Sequence, residues 1–360
     1  MSVRLGYRLA MSRNPLHCDI FCAVVDNYGD AAVCWRLACQ LAVEHGWQVR
    51  LWIDDLMPLR QLSPDFAAGP VVVHPWPAPR LGAGPADVVI EAFGCEPPPA
   101  YVEAMASRTR PPVWLNLEYL SAEAWVAGSH GLPSPHPRLP LLKHFYFPGF
   151  VAGTGGLLRE RDYDARRAAF DEAAFRSEFA LPPRRPGELC ISLFSYPNPA
   201  LSGLIAAWAA WATPERPVRV FCPDGRQPAR TIGNLSLLPL PFLPQRRYDE
   251  LLWACDLNFV RGEDSFVRAQ WAARPFVWHI YPQAADAHLV KLDAFLALHP
   301  AGAALRPFWL AWNGVGSLDW PAFAAGLPDL ENPSARWAKS LAMRPDLASG
   351  LVKFCLERLK

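Results

Sequence analysis

The chain has 360 residues, of which 51% are hydrophobic and 19% charged, and its formal net charge is +1. That length argues for two domains, and the low charged fraction excludes a disordered chain. The near-neutral balance gives no global pull toward nucleic acid or acidic membranes, and no apolar run is long enough to span a bilayer.

Residues 1–16 have no clear pattern and include a second methionine at position 11, so they read as a disordered tail or a mis-assigned start. An apolar strand follows over 18–25, then helical spacing over 31–45 that stops at Gly46. Strands are expected at 47–53, 71–74, 87–92 and 112–116, with a helix over 98–107. This is the β-α-β rhythm of a parallel sheet with helices on both faces. The rhythm lapses between about 120 and 156, where Pro, Gly and His dominate. A charge-rich amphipathic segment covers 163–179, and LPPRRPGE after it reads as an interdomain linker. Strands return at 188–194, 218–221, 235–240, 256–260 and 276–278. Helices are expected at 201–211, 245–254, 264–273 and 286–298, and a single final helix over about 333–359. The expected domains are residues 17–160, a linker segment 161–186, and residues 187–332, with the last helix, about 333–360, returning to the first domain.

Nine cysteines without a C-x-x-C pair point to a reducing cytoplasm rather than a disulfide framework. The histidines lack the spacing of a metal site. Chemistry is therefore sought at the strand ends, where open α/β sheets bind their ligands.

VVDNYGDAAVCWRLA, Val24–Ala38, passes from strand to helix through two carboxylates, Asp26 and Asp30. A phosphate loop would not carry that pair. Asn27 or Asp30 can cap the helix, which accounts for one acid at most. Two carboxylates beside Gly29 suit a cation or a proton transfer. FVRGEDSFVRAQ, Phe259–Gln270, turns at Gly262 into a helix whose first N–H groups, with Arg261 and Ser265, can cradle a diphosphate; a plain cap by Glu263 or Asp264 is the competing reading. ISLFSYPNP and PFLPQRRYDEL place Phe194, Tyr196, Phe242, Gln245 and Tyr248 at two further strand ends. There they can stack on a nucleobase or read its edge, or pack into a core.

DIFCAVVDNYGDAAVCWRLACQL, LNLEYLSAE, FPGF with GTGGLLRE, PFLPQ, RGEDSFVRAQWA and HIYPQAADAHLVKLDAF occur in this order from about residue 18 to 295. Together they resemble the bacterial protein-arginine rhamnosyltransferase (EarP) family, which modifies translation elongation factor P. The resemblance implies a two-domain α/β GT-B glycosyltransferase of the cytoplasm that needs no metal or other cofactor. Its donor would be dTDP-β-L-rhamnose. Its acceptor would be one arginine of elongation factor P, modified with inversion, so that the factor can rescue ribosomes stalled at polyproline. By the same resemblance Asp30 is the general base, Asp26 supports it and Glu263 is essential. Donor contacts fall on Asn27, Tyr28, Gly29, Phe194, Tyr196, Phe242, Gln245, Tyr248, Arg261, Asp264 and Ser265. The family can carry Phe where Tyr248 stands, and the Ser and Pro flanking Tyr196 depart from its pattern. A carboxylate at Glu263 would repel a diphosphate, so its backbone N–H is expected to face phosphate while its side chain positions a sugar hydroxyl or Arg261. The alternatives are a GT-B enzyme for a small-molecule or lipid-linked acceptor, and a non-catalytic adaptor of a translation factor.

Overall fold

The computed structural model describes residues 15–26, 28–76, 84–225 and 227–360; the expected tail lies outside them up to residue 14. The first sheet is built from β1 (His17–Cys22), β2 (Gln48–Ile53), β3 (Val72–Pro75), β4 (Val88–Ala92), β5 (Val113–Leu117), β6 (Pro133–Pro135) and β7 (Leu142–Tyr146). They lie in the order β3-β2-β1-β4-β5-β7-β6, parallel except for β6 against β7. The second sheet holds β8 (Leu189–Leu193), β9 (Val218–Cys222), β10 (Arg230–Ile232), β11 (Leu235–Pro239), β12 (Leu257–Arg261) and β13 (Phe276–His279). Its order is β10-β11-β9-β8-β12-β13, with only β10 antiparallel. Both orders reverse beside the first strand of the lobe, between β1 and β4 and between β8 and β12. The crevices at those reversals open at the carboxyl ends of the strands.

Alternation along the strands explains the layering. Val88, Ile90 and Ala92 of β4 pack under the first helix, Gly29–His45, while Val89 faces Trp114 and Tyr101 on the other side. The second lobe has the larger core, centred on Trp208, Phe259, Trp309 and Trp312. Many of the tryptophans are accounted for by this packing.

Several expectations are corrected. The first strand ends at Cys22, not Val25, because the N–H groups of Val24, Val25 and Asp26 donate to carboxylates instead of to a neighbouring strand. The Pro- and His-rich lapse contains β7, which pairs parallel with β5. Tyr163 and Phe175, in what reads as a linker, lie on helices Tyr163–Ala168 and Glu172–Glu178 and are buried in the second core. The final helix is two. Trp320–Ala342 runs through Pro328 and Pro333 and stays with the second lobe. Pro345 then prevents continuation, Asp346 accepts the Ser349 N–H at 3.0 Å as a new cap, and Leu347–Arg358 returns to the first lobe through Leu347, Ala348, Leu351 and Cys355. The chain thus crosses between lobes near residues 157–162 and again near 343–346. The crossings touch: the Leu347 N–H donates to the Leu157 carbonyl at 3.0 Å. A Cβ on Gly156, at φ +78°, would meet the Pro345 carbonyl at 2.5 Å. All nine cysteines are free thiols, and among the described residues no helix is long and apolar enough to cross a membrane.

Candidate active site

The acidic turn after β1 is held by its own backbone. Val25 and Asp26 donate their N–H groups to Asp30 Oδ2, each at 2.8 Å, and Val24 donates to Asp54 Oδ1 at 2.8 Å. Asp30 therefore does not cap the helix. It sits in the first turn and reaches back over the junction, with Tyr28 preceding the helix and making no side-chain cap. Asn27 lies outside the described residues. Asp26 points across the cleft, where the Tyr196 hydroxyl donates to its carboxylate at 2.8 Å. Two glycines make room for it. A Cβ on Gly29 would lie 2.6 Å from Asp26 Oδ2, and one on Gly262, at φ +59°, 2.7 Å from the same oxygen.

Facing this turn is the end of β12. The Arg261 guanidinium is boxed by the rings of Phe194, Tyr196 and Tyr28 at 4.5, 4.6 and 5.5 Å. It has no carboxylate partner among the ion pairs of the described residues. The Arg261 backbone N–H donates to Ser265 Oγ at 3.0 Å, and Trp278 Nε1 donates to the Gly262 carbonyl at 2.8 Å, which pins the turn. The helix Asp264–Ala272 begins there, and its first N–H groups have no helical partner. Phe242 meets Tyr28 across the cleft, ring centroids 4.6 Å apart, and Tyr248 lies edge-on to Phe194 at 5.7 Å. These groups line a partly open pocket between the lobes. All the expected donor contacts in the described residues line it, together with Ala32, Leu62, Pro223 and Leu243, which sequence reasoning did not select. An unpaired cation, open helix N–H groups and aromatic walls can hold an aromatic nucleotide with its phosphates on Arg261.

Two side chains are engaged otherwise than expected. The Asp264 carboxylate accepts from Arg36 Nε at 2.8 Å, and Gln245 Nε2 donates to the Ala32 carbonyl at 3.0 Å, so both also join the lobes. Among the described residues Glu263 makes no ion pair or hydrogen bond with the Arg261 side chain. Its Oε2 accepts the Leu120 N–H, from the loop after β5, at 2.9 Å. Behind the site Arg36, Arg166 and Arg268 interlock with Glu160, Asp249 and Asp264. The pairs include Arg36–Glu160 at 2.9 Å, Arg268–Glu160 at 2.8 Å and Arg268–Asp249 at 2.7 Å.

Three carboxyl groups thus share one end of the cleft, and they cannot all stay charged cheaply. Burial pushes Asp26 up to about 6, against the Tyr196 hydrogen bond and the Arg261 charge. Burial also raises Asp30, against the two backbone donors. Glu263 is partly exposed as a residue, but its carboxyl lies deep between the lobes. Burial takes it to about 8, with Asp30 and Asp26 adding and the Leu120 N–H opposing. The cluster is therefore short of a positive charge, which is the condition for binding a cation. A folded-state value above the ordinary one means stability is present at low pH and lost as pH rises through the folded value. Thermal unfolding of the ligand-free protein is accordingly expected to show stability falling between about pH 5 and 8, and Glu263→Gln to flatten that slope. A slope identical in the variant would assign the effect elsewhere. Among the described residues no group of three or more His, Cys, Asp or Glu side chains is arranged around a metal position.

Comparison with known proteins identifies the family of the chain. Residues 18–356 match the family model described as elongation factor P (EF-P) rhamnosyltransferase EarP. The chain is 48% identical to a protein-arginine rhamnosyltransferase of Pseudomonas putida, over 93% of this chain and 97% of that one. It is 46% identical to that of Pseudomonas aeruginosa, over 93% and 98%. A solved structure described as the structural basis for EarP-mediated arginine glycosylation of translation elongation factor EF-P superposes with a TM-score of 0.67, at 36% identity over 95% of this chain and 99% of that one. The calicheamicin glycosyltransferase CalG4, at 15% identity and a TM-score of 0.53 over 96% and 99%, shares the fold alone. The chain belongs to the EarP family of rhamnosyltransferases, and it is a glycosyltransferase of the two-lobed GT-B fold.

Proposed function

We propose that the protein transfers L-rhamnose from dTDP-β-L-rhamnose to a guanidinium nitrogen of one arginine of elongation factor P, with inversion and without a metal. The observation that carries this is the opposition of charge across one cleft. Asp26 and Asp30, with the protonated Glu263 beside them, form an acidic end, and Arg261 with the helix start at Asp264 forms a cationic one.

Arginine is a poor nucleophile because its guanidinium is protonated and its lone pairs are delocalised. The acidic end orients the cation and holds one nitrogen toward the anomeric carbon. As the N–C1 bond forms, the C1–O bond to the diphosphate breaks. The proton leaves nitrogen for Asp30, and dTDP departs with the bond electrons. Full deprotonation before attack is too costly at a pKa above about 12, so proton loss accompanies or follows attack. Arg261 and the helix N–H groups balance the charge that grows on the diphosphate. With its proton retained near neutral pH, Glu263 adds no charge against the phosphates until a cation enters. Attack from the face opposite the leaving group inverts the anomeric centre.

Incubation with dTDP-rhamnose and elongation factor P is expected to add the mass of one deoxyhexose residue, lost when the acceptor arginine is replaced. Donor turnover that is indifferent to the protein acceptor would favour a small-molecule or lipid-linked acceptor and overturn the proposal. Gly262→Ala should also reduce this transfer at least about tenfold, because its Cβ would press 2.7 Å from Asp26 Oδ2 and 2.9 Å from the Tyr196 hydroxyl. A variant with wild-type kcat/KM would mean that Asp26 has slack.

A further inference from the structure

Phe93 and Tyr119 stand next to the acidic turn and are not absorbed by the mechanism above. Phe93 follows β4 and Tyr119 lies two residues beyond β5, so both are at the carboxyl edge of the first sheet, where β1, β4 and β5 are consecutive neighbours. Their rings stack, centroids 4.3 Å apart and planes 14° from parallel. Both side chains are only half-buried. Phe93 adopts φ +59°, a left-handed conformation unusual for a bulky residue, with its N–H tied to the Leu117 carbonyl at 2.7 Å. That left-handed turn carries the Phe93 ring onto the face of Tyr119. The Tyr119 phenol lies beside Asp30, where it opposes the rise that burial imposes on that carboxyl, and the next residue, Leu120, supplies the N–H that Glu263 accepts. Lys291, reaching over from the second lobe, already places its ammonium 6.0 Å from the Tyr119 ring centroid.

Resting on the arginine-acceptor reading, we infer that Tyr119, backed by Phe93, is the platform on which the acceptor guanidinium stacks, while its hydroxyl fixes the orientation of Asp30. A planar, weakly hydrated cation stacks on an aromatic face in a way that a compact ammonium does not, so the platform also favours arginine over lysine. Burial and the neighbouring carboxylates push the Tyr119 phenol up, so it remains a donor throughout the working pH range.

The test is steady-state transfer to elongation factor P with dTDP binding measured in parallel. Tyr119→Leu is expected to raise the acceptor KM about tenfold, the scale of a cation–π contact in a partly desolvated site, with dTDP affinity unchanged. Tyr119→Phe is expected to keep that KM. It should lower kcat and move the acid limb of the pH profile to higher pH, since Asp30 loses a donor to its charged form. An acceptor KM within twofold of wild type in Tyr119→Leu overturns the platform. So does an equal loss of dTDP affinity, which would mark a structural role. An unmoved pH limb in Tyr119→Phe overturns the orienting role. If wild-type protein does not modify the arginine at all, the acceptor reading fails first, and this role fails with it.

Discussion

Asp30→Asn is expected to lower single-turnover transfer by at least about 10³-fold while dTDP binds as it does to wild type. The substitution is conservative where structure is concerned. Its remaining carbonyl oxygen can still accept the N–H groups of Val25 and Asp26, so the turn keeps its shape. Its amide can take no proton from a guanidinium. Asp30 does not line the donor cavity, so donor affinity is a clean control. Transfer at a near wild-type rate would remove Asp30 as the base and direct attention to Asp26, whose value near 6 also suits proton transfer. Lost dTDP binding would instead show that the turn had collapsed.

Arg261→Ala carries the second large effect. Its guanidinium is buried among three rings and has no carboxylate partner within the described ion pairs, so its charge is held ready for an anion. Removing it should reduce kcat/KM for the donor by about 10²–10³-fold, the scale of losing a preorganised donor to developing charge. Arg261→Lys should recover little, because an ammonium neither forks onto a diphosphate nor stacks between rings. Calorimetry separates the causes. Affinity for dTDP should drop while affinity for thymidine, which has no phosphate, stays. Equal losses for both would assign Arg261 to nucleoside packing.

The parts of this site that sequence makes legible are those carried by one short segment. An apolar strand that ends in a glycine and sudden charge is visible in DNYGD and in RGEDS, and both turns lie at sheet edges facing one cleft. Aromatics at strand ends are equally visible, though not which neighbours they meet. What sequence cannot supply is pairing over distance. Leu120 and Glu263 are 143 residues apart and Arg36 and Asp264 are 228 apart, yet these bonds decide what Glu263 and Asp264 do. Tyr119 was hidden for the same reason, since only the order β1-β4-β5 brings the end of β5 near the first turn. In the fold, β7 escaped because its sequence, LKHFY, follows a proline hairpin and lacks a continuous apolar run. The split of the last helix is a different matter. Pro345 followed by Asp346 is a stop and a cap, and both were present in the sequence to be read.

The interlocked charges behind the cleft have a mechanical consequence. Three guanidiniums and three carboxylates lie beside the first chain crossing, joining the helix that follows the acidic turn to the two helices that bear Asp249 and Asp264. Pulling such a cluster apart would strand charges away from water. It therefore works as a rivet, holding Arg36 on the helix after the acidic turn to Asp264 at the start of the helix that faces it. Losing any one arm would leave its partner charge buried and unmatched at the back of the cleft.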